Sequence, residues 1–187
     1  MGLFNGETES SIKFINDYRK LHRILNVFRS ELNRSVVATI GTWDMLHIGH
    51  VRYLMEAKKA GDVLVVGVDT DKVVRKYKGK YRPVVPFEER VEMLSYLWCV
   101  DFITGIRDVN DKGLWTYGLI RMIRPNVFVA VEDSYPPEQR ADIEKYVDKL
   151  VILPRQAENT STSFLVQRII KGHMAQINQI GKNERRK

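Results

Sequence analysis

Five short apolar runs, each parted from the next by a stretch that reads as helix, limit what this chain can fold into more than any other feature. The runs are Val36–Ile40, Val63–Val68, Val100–Ile106, Asn126–Val131 and Leu150–Leu153. Strands this uniformly apolar are covered on both faces, and strands joined through helices run parallel. The connecting helices are expected over Ile48–Lys59, from Phe87 to about Leu97, near Lys112 to Ile123, and over Pro137–Asp148. Pro86 with Glu88 and Glu89 marks one helix start, and Arg124-Pro125 marks a stop. The expected fold is α/β and Rossmann-like: a doubly wound, mainly five-stranded parallel sheet with helices on both faces. An N-terminal helix over about 11–33 precedes the sheet. Its Phe14, Tyr18, Leu21, Leu25, Phe28 and Leu32 form one apolar seam, read as packing on the domain's own sheet, with a subunit contact as the alternative. A last helix opens at Ser161-Thr162-Ser163 and continues to about Lys171. The organisation read from this is a flexible N-terminus over 1–10, a single domain over 11–172, and a basic C-terminal tail over 173–187.

Composition removes several classes. With 187 residues, 44% of them apolar, the chain can bury one full core and is not disordered. No apolar run approaches the roughly 20 residues that span a bilayer, and the first residues lack the pattern of a secretory signal. Cys99 is the only cysteine, so neither an internal disulfide nor a zinc cage is available to it, and a reducing cytoplasmic location is expected. The net charge of +7 gathers at Lys182, Arg185, Arg186 and Lys187, and again at Arg75, Lys76, Lys78, Lys80 and Arg82. Such clusters draw anions, whether phosphorylated metabolites or nucleic acid.

In sheets of this class ligands lie beyond the carboxyl ends of the strands, where loops enter helix N-termini. Three segments there carry unusual chemistry. The first is Gly41-Thr42-Trp43-Asp44-Met45-Leu46-His47-Ile48-Gly49-His50, in which two histidines flank a glycine at the first turn of a helix. The helix N-terminus favours an anion, Gly49 allows close approach, and two imidazoles add donors that can stabilise charge growing on phosphorus. A zinc site fits poorly, since no third His or Cys lies near, though Asp44 could contribute. The second is the loop Lys72–Pro86, whose Lys78 and Arg82 lie next to Gly79 and Pro83. The third is Asn159-Thr160-Ser161-Thr162-Ser163, which has more hydroxyls than one helix cap uses.

The first segment resembles the G-x-F-D-x-x-H-x-G-H signature of the cytidylyltransferase-like nucleotidyltransferases. Lys78-Gly79, Arg82-Pro83 and Pro86-Phe87-Glu88-Glu89-Arg90 are similar to the adenylyltransferase domain of ADP-heptose synthases. Leu153-Pro154-Arg155 with Ser161-Thr162-Ser163 resembles both that domain and glycerol-3-phosphate cytidylyltransferase. The resemblance covers roughly residues 20–172. It implies that His47 and His50 bind the triphosphate and stabilise the pentacoordinate α-phosphorus, and that Lys78 bridges the acceptor phosphate and the α-phosphate. It implies nucleotide or phosphate contacts from Gly41, Thr42, Trp43, Gly49, Asp133, Arg155, Ser161 and Thr162. Acceptor contacts fall to Asp44, Arg82 and Arg90, and Mg²⁺ is expected to arrive with the triphosphate rather than on protein side chains. Trp43 stands where relatives carry Phe, and Val131-Glu132-Asp133 stands where they carry Gly before the Asp.

The implied activity is transfer of a nucleoside monophosphate, AMP favoured, from a nucleoside triphosphate to a sugar phosphate such as a heptose 1-phosphate, with release of pyrophosphate. CTP with a polyol or amino-alcohol phosphate is the alternative. The implied partners are ATP or CTP and a small phosphorylated acceptor, with no nucleic acid and no membrane, and a homodimer is the expected assembly. Class I aminoacyl-tRNA synthetases share the His-x-Gly-His spelling, but no Lys-Met-Ser-Lys-Ser loop follows here. A silent nucleotide or nucleic-acid binder is the rival from another class.

Overall fold

The computed structural model describes residues 12–111, 113–158 and 160–184. Five strands, β1 (Val36–Gly41), β2 (Val63–Asp69), β3 (Phe102–Ile106), β4 (Val127–Val131) and β5 (Lys149–Leu153), form one sheet in the order β3-β2-β1-β4-β5. Every neighbouring pair is parallel. The α/β, Rossmann-like fold expected from the alternation is therefore the one observed. Apolar side chains divide between two faces at every second residue, as the strand repeat requires. Val37, Leu64, Val66 and Val68 enter one core cluster, while Val36, Ala38, Val63 and Val65 enter the other.

The helices are α1 (Tyr18–Ser30), α2 (Ile48–Lys58), α3 (Asp71–Lys78), α4 (Phe87–Ser95), α5 (Gly118–Ile123), α6 (Pro137–Glu144) and α7 (Thr162–Glu184). The single helix expected over about 11–33 is interrupted: residues 12–13 are helical, the chain leaves the helix at Phe14, and α1 begins at Tyr18. Asp17 caps it, accepting from the backbone N–H of Arg19 at 2.7 Å and of Lys20 at 3.2 Å. Phe14 lies upstream in extended chain that bridges to Ile103 on β3, and Leu32 lies past the helix end and is exposed. The middle of the seam behaves as expected: Leu21 and Leu25 are fully buried against the domain's own core, and α1 packs on α5.

Four further boundaries differ from the sequence reading. Residues 72–78, read as part of a loop, belong to α3, and only Val73 and Val74 are buried on it. The helix expected from Lys112 shortens to α5, because the Asp108 carboxylate accepts the Gly118 N–H at 2.6 Å and holds the chain before it in a turn. The helix from Pro137 ends at Glu144. Finally, α7 runs on to Glu184, so most of the stretch read as a tail from 173 is helical, while residues 185–187 fall outside the described residues. Among the described residues no helix is long and apolar enough to cross a membrane.

The topology makes a crevice. Strands β1 and β2 stay paired over their length, from Val36↔Val63 to Gly41↔Val68. Strands β1 and β4 pair only at Val37↔Val127 and Ala38↔Phe128, then diverge. Tyr53 of α2 fills the opening: its hydroxyl lies 2.8 Å from Thr39 Oγ1 and donates to the Val129 carbonyl at 2.9 Å. Above this wedge, at the carboxyl end of the sheet, is the space where ligands bind in folds of this kind.

Candidate functional site

A cavity of about 740 Å³ occupies that position, the size of a small-molecule site. Its floor is the segment joining β1 to α2. The backbone there takes positive φ at Trp43 (55°) and Met45 (51°), which folds the loop tightly against the sheet. Trp43, expected to contact nucleotide, is among the residues lining the cavity, with most of its indole in the core. The ring is buried and its N–H donates to the Gly67 carbonyl at 2.9 Å. It serves the site at one remove, edge-on to His50 at 5.5 Å between centroids.

His47 is the N-cap of α2, and its Nδ1 accepts the Gly49 N–H at 3.2 Å. A neutral imidazole that accepts at Nδ1 carries its proton on Nε2, so the capping bond fixes which nitrogen donates. His50 stacks on it, with centroids 3.8 Å apart and planes 20° from parallel. A Cβ on Gly49 would come within 3.0 Å of the His47 ring and 3.1 Å of Ala157, so only glycine lets the imidazole lie flat over this turn. His50 Nδ1 is buried without a hydrogen-bond partner. Burial first, then the nearby His47 and Lys78 charges, pushes the His50 pKa down to about 3, and burial lowers that of His47. Both rings are thus neutral at neutral pH, each with one nitrogen able to donate.

The depressed His50 pKa has a consequence for stability. Between about pH 6.5 and the folded value the unfolded chain takes up a proton that the folded chain refuses. The contribution is therefore complete above pH 6.5 and is lost as pH falls, with a slope approaching about 1.4 kcal/mol per unit. Urea midpoints for the native chain and a His50→Gln variant at about pH 7.5 and about pH 5.5 are expected to show a smaller acid loss in the variant. Equal losses would put the acid sensitivity elsewhere.

Opposite the histidines stand α3 and the loop after it. Lys78 ends α3, and its ammonium lies 5.5 Å from the centre of the Tyr77 ring. The residue is exposed overall, yet its charged end is crowded by the cavity wall. Burial there, followed by the Arg82 guanidinium, lowers its pKa. Lys78 makes no ion pair among the described residues. Arg82 also lines the cavity, with Nε donating to Asp44 Oδ2 at 2.7 Å.

Asp44 and Arg90, both expected to contact the acceptor, are engaged otherwise. The Asp44 carboxylate is buried and accepts from Val84 N at 3.0 Å, Val85 N at 2.9 Å and Arg82. Burial alone would raise its pKa, but these donors outweigh it and leave the pKa lowered. It borders the cavity while acting as the anchor of the loop that carries Arg82. Arg90 does not reach the cavity at all. Its fully buried guanidinium donates to the carbonyls of Val85, Thr42 and Asp69 and to Asp71 Oδ1. A long, buried cation is kept here by backbone carbonyls, and it ties β1, β2 and α4 together.

The remaining wall is the start of α7 with the ends of β4 and β5. Ser161 caps α7, accepting from Phe164 N at 3.2 Å, and Thr162 Oγ1 donates to the Asp44 carbonyl at 2.8 Å. The N-terminus of a long helix, with Thr160, Ser161, Thr162 and Ser163 all lining the cavity, is a ready anion site. Across from it, Arg155 and Asp133 pair with each other at the rim, and the Arg155 N–H meets Glu132 Oε1 at 3.3 Å. Glu132 thus points to the β5 end.

Of the residues singled out from the sequence, His47, His50, Lys78, Gly41, Thr42, Gly49, Asp133, Arg155, Ser161, Thr162, Asp44 and Arg82 converge on one cavity, Trp43 borders it from the core, and Arg90 lies outside it. Sequence reasoning missed Asp69 and Tyr77, which lie behind Thr42, and the wedge at Tyr53. Asp69 had a signal, as an acid at the carboxyl end of a buried strand; Tyr77 had none beyond adjacency to Lys78.

Residues 38–180 match the model of the cytidylyltransferase-like family. Among curated proteins the chain is 34% identical over 158 residues to the bifunctional protein HldE of a Nitratiruptor species, covering 84% of this chain and 32% of that protein. It is 32% identical over 178 residues to HldE of Geobacter metallireducens, covering 92% and 34%. The chain therefore spans about a third of the length of these relatives. Among solved structures, a lipopolysaccharide core biosynthesis protein from Thermoplasma volcanium is similar with a TM-score of 0.56 and 28% identity, covering 65% of this chain and 98% of that one. Pantoate-beta-alanine ligase from Francisella tularensis has a TM-score of 0.54 at 15% identity, covering 79% and 68%, which is a likeness of fold.

Proposed function

We propose, from the premise that the chain belongs to the cytidylyltransferase-like family, that it transfers AMP from ATP to a sugar phosphate of the heptose 1-phosphate class and releases pyrophosphate. The broader statement, that it is a nucleotidyltransferase, follows from the family and from the HldE relatives. The observation that carries the reading is the stacked, neutral His47–His50 pair facing a cavity that Lys78 closes from the other side.

The chemistry needs no side-chain nucleophile. An oxygen of the acceptor phosphate attacks the α-phosphorus, the bond to the bridging oxygen breaks, and pyrophosphate leaves with that oxygen. The protein's task is to hold two anions in line and to answer the charge that grows on the α-phosphate. His47 Nε2–H and the His50 ring meet that charge from the α2 end. The α7 N-terminus with Ser161 receives the β and γ phosphates, and Lys78 bridges acceptor and α-phosphate, with Arg82 beside it. Mg²⁺ supplies charge neutralisation of the triphosphate when bound. Among the described residues no cluster of three His, Cys, Asp or Glu can cage a metal, and Asp44 and Asp133 have partners already. A Mg²⁺ brought in by the nucleotide would add to the positive charge that Lys78, Arg82 and the α7 N-terminus supply. A homodimer belongs to the same proposal, with the exposed Ile169, Ile170, Met174 and Ile177 of α7 as the apolar surface available to it; a light-scattering mass of one chain would remove it.

Pyrophosphate release with Mg²⁺, each of four nucleoside triphosphates, and a panel of sugar and polyol phosphates tests the reading. Release with ATP and a heptose phosphate supports it. Release with CTP and a polyol phosphate replaces the substrates and keeps the chemistry. Silence throughout, with no triphosphate binding, overturns it. With the right pair in hand, Lys78→Ala is expected to raise the acceptor KM and lower kcat together, each roughly 10-fold or more, since the ammonium serves both ground state and transition state. An unchanged acceptor KM would remove the bridging role.

A further inference from the structure

Behind the phosphate side of the cavity lies a chain of three polar groups that the chemistry above does not use. Asp69, the last residue of β2, is buried, and its Oδ2 accepts from the Tyr77 hydroxyl. That hydroxyl lies 2.6 Å from Thr42 Oγ1, which is itself 3.4 Å from Asp69 Oδ2. Thr42 is the only member of the three that borders the cavity. An ionised carboxylate only accepts, so with Asp69 charged both hydroxyl protons turn inward: Tyr77 donates to Asp69, and Thr42 donates to Tyr77. Thr42 then shows the cavity lone pairs alone, which repel a phosphate oxygen. One proton on Asp69 reverses the chain. Asp69 donates to Tyr77, Tyr77 to Thr42, and the Thr42 O–H turns outward as a donor.

We propose that Tyr77 and Asp69 are positioning residues of the triphosphate pocket, acting through the Thr42 hydroxyl, which donates to a bound phosphate only when Asp69 carries a proton. The proposal rests on the nucleotidyltransferase reading. The surroundings of Asp69 are consistent with it. Burial raises its pKa, opposed by Tyr77 and Lys78 from α3, Arg90 from α4 and Thr42 from the β1 end. The Tyr135 phenol faces it from the loop after β4, and Asp71 meets it through Arg90. A triphosphate in the cavity brings negative charge close to Asp69 and occupies the Lys78 ammonium, and both changes favour the proton. Binding therefore draws one from solvent.

Calorimetry of Mg²⁺–ATP binding to the full chain, in buffers of unlike ionisation enthalpy and across neutral pH, tests this. Tyr77→Phe removes one oxygen from a ring that is 44% exposed, so the fold is kept while the relay is cut. It is expected to weaken ATP binding about 10-fold. The amide in Asp69→Asn can donate permanently to Tyr77. That variant is expected to hold the affinity of the native chain at the acid end and to lose the fall in affinity toward alkaline pH. Proton uptake on binding should be smaller in Asp69→Asn than in the native chain by up to one proton, ATP's own protonation being common to both. If the native chain binds ATP, and both variants share its proton uptake and pH slope, the relay is overturned and the function stands. A native chain that binds none of the four triphosphates overturns the function and the relay with it.

Discussion

Replacing His47 by Ala is expected to lower turnover by about 100- to 1000-fold while the KM for the triphosphate moves little, because a donor aimed at the α-phosphate matters most when charge develops there. The substitution also deletes the N-cap of α2, since His47 Nδ1 accepts the Gly49 N–H. A cap lost to Ala costs about 0.5–2 kcal/mol, so stability would fall with activity and confuse the reading. His47→Asn separates the two. Its side-chain oxygen can still accept from Gly49, whereas it has no imidazole to stack on His50 or to donate where Nε2 does. The expected result is a melting temperature near that of the native chain, with turnover as low as in His47→Ala. His50→Ala should fall by a similar factor. The double variant should fall by less than the product, because rings stacked at 3.8 Å act as one unit. Turnover of His47→Asn within about threefold of native would defeat the assignment.

The sheet and this motif were legible for the same reason. Uninterrupted apolar runs such as Val63–Val68 have no stable place except a strand covered on both faces, and the helix after the first strand puts His47 and His50 at a turn aimed at the crevice. What escaped reading depended on contacts that carry no local pattern. Helix α3 has only Val73 and Val74 to bury, so its charged sequence reads as loop. The helix before β4 lost its first half to Asp108, a carboxylate that lies before the helical pattern begins. In the C-terminal stretch the apolar Ile169, Ile170, Met174 and Ile177 continue past Lys171, but they are exposed and bury no face that would mark a helix in the sequence. The candidate site was half legible in the same sense. Residue types that bind anions were found where they stand, but sequence cannot tell whether a buried polar group faces a ligand or the protein's own backbone. Asp44 faces Val84 and Val85, Trp43 faces Gly67, and Arg90 faces three carbonyls.

Arg90 is the sharpest of these cases, because two roles predict opposite measurements. As an acceptor ligand it would matter to the acceptor KM and hardly to stability. Its position argues for the reverse: a fully buried guanidinium that gives its donors to Val85, Thr42 and Asp69 carbonyls and to Asp71, with its plane near the Phe87 ring at 5.7 Å. Arg90→Met keeps much of the volume and removes every one of those donors. Carbonyls buried without partners, together with a broken buried ion pair, are expected to cost about 3–5 kcal/mol. For a chain of this size that is a melting-temperature drop on the order of 10 °C. Arg90→Lys should recover only part of it, since one ammonium cannot span three carbonyls and a carboxylate set by a planar fork. The site then suffers through its frame: the Thr42 carbonyl and the start of α3 lose their common tether, so kcat falls even in protein that remains folded. A stable Arg90→Met chain with a raised acceptor KM would return Arg90 to the acceptor site. A destabilised chain whose residual activity keeps the native acceptor KM fixes it as the clamp that holds β1, β2 and α4 in register beneath the cavity.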